Sequence, residues 1–167
     1  MAVTYEPITT TTLGTSAATI TFSSIAASWT DLRLVIVGTP VTAGGVIYGI
    51  FNGLTTGIYS WIHLIGTGTT VTTAVSNPAS AIFYNGIAPT AITTTANTID
   101  ILGYANTTLY KTILNTRAGD TNGGSGMENC LSAGSFKSTA AITSITLTNS
   151  AVFAVGTTAT LFGIKAA

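Results

Sequence analysis

Polar and apolar residues alternate along much of this chain. Ala18, Ile20 and Phe22 are separated by Thr19 and Thr21, the period of a strand with one buried face. Residues 31–38 contain the apolar run Leu34-Val35-Ile36-Val37, which suits a strand covered on both faces. Further strands are predicted at 46–51, 59–65, 81–85, 98–103, 110–117, 127–135, 142–148 and 158–164. Asn52-Gly53 predicts a hairpin joining the strands at 46–51 and 59–65. Residues 66–80, 87–96 and 119–126 read as loops rich in Thr, Gly and Pro. Residues 1–15, with Pro7 and four threonines at 9–12, read as an extended arm, either frayed or ordered only by a neighbour. Residues 16–167 then form one domain. No stretch holds apolar residues at helical spacing for more than about a turn. Eight to ten short strands without a substantial helix predict an all-β, antiparallel, jelly-roll-like sandwich.

Composition reinforces this reading. Threonine is about one residue in five; it is β-branched and offers a neutral hydroxyl to solvent or a neighbour. Charge is scarce. Charged residues make up 6% of the chain, against roughly 25% in ordinary soluble domains. They are Glu6, Asp31, Arg33, Asp100, Lys111, Arg117, Asp120, Glu128, Lys137 and Lys165, with none between Leu34 and Ile99. The net charge is zero, and no basic cluster exists to neutralise phosphate, so no nucleic-acid partner is expected. No run approaches the roughly 20 apolar residues of a spanning helix. Scattered aromatics, 8% of the chain, do not form the girdles of a membrane barrel. No membrane partner is expected, and the N-terminus shows no signal peptide. Without net repulsion between copies, self-assembly is expected.

Candidate chemistry is thin. The single cysteine, Cys130, lies in a strand and reads as a small buried hydrophobe. The single histidine, His63, shares a strand face with Tyr59, Trp61 and Ile65 and reads as a half-buried hydrogen-bonding residue. Asp31 and Arg33 share a strand face and could pair. Asp120 and Asn122 resemble the start of a calcium loop. However, Glu128 stands eight residues after Asp120, where about eleven would be required. Gly66-Thr67-Gly68 lacks the rest of a dinucleotide fingerprint. Asn106-Thr107-Thr108 matches a glycosylation acceptor that a Thr-rich chain produces by chance. No catalytic, cofactor-binding or metal-binding residues are assigned, and the chain is expected not to be an enzyme. Candidate contacts to other protein are Thr9, Thr10, Thr11, Thr12, Tyr59 and Trp61. Trp29, Tyr59 and Trp61 are the alternative candidates for a glycan-stacking platform.

Several segments resemble one another's counterparts in a known family. They are Ser23-Ser24-Ile25 with Trp29-Thr30-Asp31-Leu32-Arg33-Leu34-Val35-Ile36, then Phe51-Asn52-Gly53 with Tyr59-Ser60-Trp61. Tyr104-Ala105-Asn106-Thr107-Thr108-Leu109-Tyr110-Lys111 and the terminal Leu161-Phe162-Gly163-Ile164-Lys165 follow in order. The chain resembles a family of structural proteins of tailed-bacteriophage virions, especially those of cyanophages. The chain departs from the pattern at Leu54, where the family often carries Asp, and at Ala26, where it carries Pro. The resemblance implies a place in the virion. A homotrimeric head-decoration or cement protein contacting the major capsid protein is the first expectation. A tail-fibre module binding host-surface glycan is the alternative. It supplies no catalytic residue.

Overall fold

Twelve strands and no helix make up the described part of the chain, which in this computed structural model is residues 4–42, 44–83, 93–120 and 126–165. They are β1 (Thr4–Thr12), β2 (Ala17–Phe22), β3 (Asp31–Gly38), β4 (Ile47–Phe51), β5 (Tyr59–Thr67) and β6 (Thr70–Ala79). There follow β7 (Ile82–Phe83), β8 (Thr95–Leu102), β9 (Lys111–Asp120), β10 (Met127–Phe136), β11 (Ile145–Phe153) and β12 (Thr158–Lys165). An eight-stranded sheet, ordered β1-β12-β3-β8-β9-β10-β5-β6, packs on a four-stranded sheet, ordered β2-β11-β4-β7. The strand pairings are antiparallel. The chain is an all-β sandwich.

The core follows from alternation. Leu32, Leu34 and Ile36 of β3, Ile99 and Ile101 of β8, and Ala159 and Leu161 of β12 point inward from the large sheet. Ile20, Phe22, Ile47, Phe51, Ile145 and Leu147 meet them from the small one. Phe51, Tyr59 and Phe136 form an aromatic knot with centroids 5.2 to 6.0 Å apart. The Tyr59 hydroxyl accepts from Phe51 N–H and donates to the Leu54 carbonyl, both at 2.9 Å. Burial pushes its pKa up, so the phenol stays neutral.

At Gly163 a different fit is used. The Trp29 indole lies over this glycine so closely that an added Cβ would stand 2.1 Å from Cδ2. The segment carrying Trp29 is tied down: its N–H donates to the Tyr104 hydroxyl at 3.2 Å, that hydroxyl donates to the Ala26 carbonyl, and Thr30 N–H donates to the Ile164 carbonyl.

Four expectations from the sequence are corrected by the structure. Thr4–Thr12 is not a free arm but the edge strand β1, zipped onto β12 from Thr4↔Lys165 to Thr12↔Thr158. Tyr5 stacks on Phe162 at 4.6 Å, and the Arg33 guanidinium lies 5.8 Å from the Tyr5 ring centre. Deleting residues 1–15 should therefore lower the melting temperature by several degrees by baring β12, rather than leaving the domain intact; a thermal melt of the truncated chain tests this. Second, Asn52-Gly53 makes its turn, with φ values of 52° and 68° and a Leu54 N–H to Phe51 carbonyl bond of 3.0 Å. Yet β4 and β5 do not pair; they lie in different sheets. Asn52 spends its side chain on the β10–β11 connection, accepting from Thr143 and Ser144 N–H and donating to the Ala141 carbonyl. Third, the expected loop at 66–80 is a hairpin arm, β6, paired with β5. Fourth, β3 is covered on one face only, since Val37 is exposed. With β1 and β6 the strand count exceeds the expected eight to ten. The expected loops at 87–96 and 119–126 lie largely outside the described residues.

Candidate interaction surface

The inward residues of β9 set the character of the large sheet. They are Lys111, Ile113, Asn115, Arg117 and Gly119, all buried. Polar residues are therefore carried under the sandwich. Register places Asn115 beside Ser132 and Ser132 beside His63, and places Asn97, Arg117 and Cys130 in the next row. Asn115 Nδ2 and the Ser132 hydroxyl are 3.5 Å apart, and Cys130 Sγ lies 3.3 Å from the same hydroxyl. Arg117 Nη1 is paired with Glu128. Such a network favours one register of β8, β9, β10 and β5 over its slipped alternatives.

Two buried basic side chains have their pKa values lowered by burial. Lys111 is 0% exposed, and burial pulls its pKa down. Its Nζ donates to the carbonyls of Asn106 (2.6 Å), Leu109 (3.1 Å), Ser138 (3.1 Å) and Thr139 (2.9 Å). The lysine thus ties the β8–β9 loop to the β10–β11 connection. His63 is buried, its ring stacked 5.2 Å from Trp61, and burial holds its pKa below the usual value. As pH falls the unfolded chain takes up this proton before the folded one does. The neutral ring's contribution is complete above about pH 6.5 and is lost as pH falls below it. Thermal melts at about pH 7.5 and about pH 5.5 should show a smaller drop in His63→Gln than in the unsubstituted chain.

Asp31 and Arg33 do not pair with each other. Arg33 makes a two-pronged bond across to Asp100, at 2.6 and 3.0 Å, while Asp31 Oδ1 accepts from Gly103 N–H at 2.6 Å. The Asp100 carboxylate raises the Arg33 pKa further. Among the described residues no three His, Cys, Asp or Glu side chains cluster as metal ligands would. A cavity of about 10 Å³ between Asn97, Asn149 and Thr157 holds room for one water.

The opposite face of the large sheet is the accessible one. Ile62 and Leu64 of β5, Val71 and Val75 of β6, Leu114 of β9 and Leu131 of β10 are exposed there. Register aligns Leu114, Ala133, Ile62 and Val75 in one row, and Thr116, Leu131, Leu64 and Thr73 in the next. Val71 and Val75 are 65% and 70% exposed, Ile62 54% and Leu131 56%. From β9 to β6 these rows carry no charge, while across β8 the first row continues into Asp100 and Arg33, and Asp120 ends the same face of β9. A contiguous apolar surface of this kind marks a contact site on a folded protein.

The sequence candidates distribute unevenly over this surface. Thr9, Thr10 and Thr12 are exposed on β1, and Thr11 is half-buried, at the sheet edge remote from β6. Tyr59 is 0% exposed, so it reaches neither a neighbour nor a glycan and leaves both candidate sets. Trp29 is half-buried, with its indole packed on Gly163 at the core margin. Trp61 alone of the aromatic candidates lines a surface groove, about 430 Å³, with Ile62, Val75 and Asn77. The sequence missed Ile62, Leu64, Val71, Val75 and Leu131 as surface residues because apolar side chains on strands read as core.

No protein-family model matches the chain, and no curated protein matches it. Solved structures give distant likenesses only. One is a GH43 glycoside hydrolase engineered to display endo-xylanase and exo-arabinofuranosidase activity. It has a TM-score of 0.38 and 12% identity, covering 99% of this chain and 34% of that one. The chain thus spans about a third of the hydrolase's length. Another is a protein of unknown function from Shewanella oneidensis MR-1, with a TM-score of 0.24 and 7% identity, covering 99% and 80%. A third is the CBM2 module of the evolved Dit of Lactobacillus casei BL23 phage J-1, with a TM-score of 0.23 and 10% identity, covering 95% and 76%.

Proposed function

We propose that this chain is a structural protein of a bacteriophage virion, assembled in many copies and acting as a decoration or cement protein on the head. The observation that carries the reading is the exposed apolar rows running from β9 through β10 and β5 to β6, in which Leu114, Leu131, Ile62, Leu64 and Val75 lie side by side. A folded chain that keeps such a face covers it with other protein. The ordered motifs shared with phage virion proteins supply the kind of assembly. In a shell, each copy adds a modest contact to the capsid protein and to its neighbours, and repetition converts weak contacts into a locked lattice. Threonine suits this role, because strand faces lined by hydroxyls can meet protein or water without the cost of burying charge.

Negative-stain images of the phage labelled with antibody to this chain test the reading. Label on the heads is the expected result. Label on the tail would overturn the head assignment and move the chain to a fibre, where Trp61→Ala should abolish binding to host-surface glycan. Purified particles without label would overturn the virion reading itself.

A further inference from the structure

The two edges of the large sheet are treated differently. At one edge β1 carries Glu6, Pro7 and a bulge between Pro7 and Thr9, all devices that discourage further strand pairing. At the other, β6 presents ten residues, Thr70–Ala79, paired on one side only. It carries no charge, its proline lies near its end at Pro78, and eight of its ten residues are exposed. Its two valines are among the most exposed large hydrophobic side chains of the described residues. Such an edge is open to a partner strand.

The sequence of β6 says which strand. Around Thr73 it is nearly palindromic: Thr70-Val71-Thr72-Thr73-Ala74-Val75-Ser76. Reversed, it reads Ser-Val-Ala-Thr-Thr-Val-Thr. In a two-fold contact residue i of one copy meets j of the other while j meets i, and the near-palindrome sets side chains of like size and polarity opposite one another in both halves. We propose that β6 pairs antiparallel with β6 of a second copy, centred on Thr73. Val71 then lies opposite the other copy's Val75, twice, and Thr73 lies opposite itself. The two large sheets become one. The exposed rows continue across the seam, Leu64 and Thr73 of one copy running into Thr73 and Leu64 of the other. Because residues 34–99 carry no charge, the two copies approach without like-charge opposition along the whole seam.

The contact is narrow. Seven overlapping residues give a strip about 23 Å long and about 10 Å deep, about 230 Å² per copy, well below the roughly 800 Å² of a standard interface. The pair is therefore weak alone and gains strength only through repetition. A homotrimer built through this edge is excluded by the same geometry, because a three-fold contact joins two different surfaces. The inference rests on the assembly reading above only in taking a second copy as the partner.

Cysteine cross-linking of the purified chain tests the register. Directly opposed residues on antiparallel strands have Cα atoms about 4.5 to 5.5 Å apart, within disulfide range. Thr73→Cys should form a covalent dimer under mild oxidation. Val71→Cys alone should not, because the two copies of residue 71 stand about 13 Å apart, whereas Val71→Cys with Val75→Cys should. Added to Thr73→Cys, Val71→Lys with Val75→Lys should cut the cross-linked fraction about tenfold by opposing like charges. Val71→Lys with Val75→Glu should restore it. All these positions are exposed, so circular dichroism should report a native sandwich throughout. Equal cross-linking at 71 and 73, or indifference to the charge pair, would overturn the pairing. The cross-link is read on isolated chain and the antibody label on particles, so each proposal can fail alone.

Discussion

Replacing Lys111 by methionine should destabilise the sandwich by about 4 kcal/mol, among the largest effects of any single substitution in this chain. The ammonium is fully buried, and its four acceptors are backbone carbonyls with no carboxylate among them. Methionine fills much of the same volume but donates nothing. It would leave four carbonyls, from two separate loops, short of a donor. Each unsatisfied buried group costs about 1–3 kcal/mol, reduced where loops open to admit water. Arginine should not rescue, since its planar fork cannot point donors into a cage of converging carbonyls. Urea denaturation checks this through a lowered midpoint at unchanged slope. A loss under about 1 kcal/mol would mean that water replaces the ammonium at little cost.

Gly163→Ala should cost about 2–3 kcal/mol by overpacking. The added methyl would overlap the Trp29 indole, whose backbone is held by the Tyr104 hydroxyl and by Ile164. A rigid ring on a tethered segment has little freedom to move aside. The cost should therefore vanish when the ring is gone. In a cycle with Trp29→Ala, the alanine at 163 should be nearly neutral in the Trp29→Ala background, giving a coupling of about 2 kcal/mol. Additive effects would show that the clash is relieved by backbone shifts elsewhere.

How far the sequence discloses this fold depends on burial. β2 and β12 were legible because one face of each is buried and apolar or small residues mark its positions. β6 was not, because both its faces are exposed and Thr, Ala and Val carry no phase there. Asn52-Gly53 disclosed the turn but not the pairing: turn chemistry sets local φ, whereas the sheet that receives Tyr59 is decided by the aromatic knot with Phe51 and Phe136. Lys111, Asn115 and Arg117 were unreadable as buried residues, since their partners are carbonyls and side chains from distant segments. The exposed apolar rows were legible only in outline. The stretch without charge from 34 to 99 contains β5 and β6, which supply half of the exposed rows. Leu114 and Leu131 come from outside it, brought alongside by β9 and β10.

The pairing of β1 with β12 also decides where cargo could ride. Thr4 and Lys165 are partners in that ladder, so the two ends of the described chain emerge side by side. Seven strand spacings, about 34 Å, separate them from the open edge at β6. A peptide or enzyme fused at either end would project from one corner, clear of the β6 edge. The same neighbourliness would let a short linker join the ends into a ring, with new ends opened in a surface turn such as the one following Asn52-Gly53. A sandwich with both attachment points at the β1–β12 corner leaves the β6 edge free when a partner is fused to it.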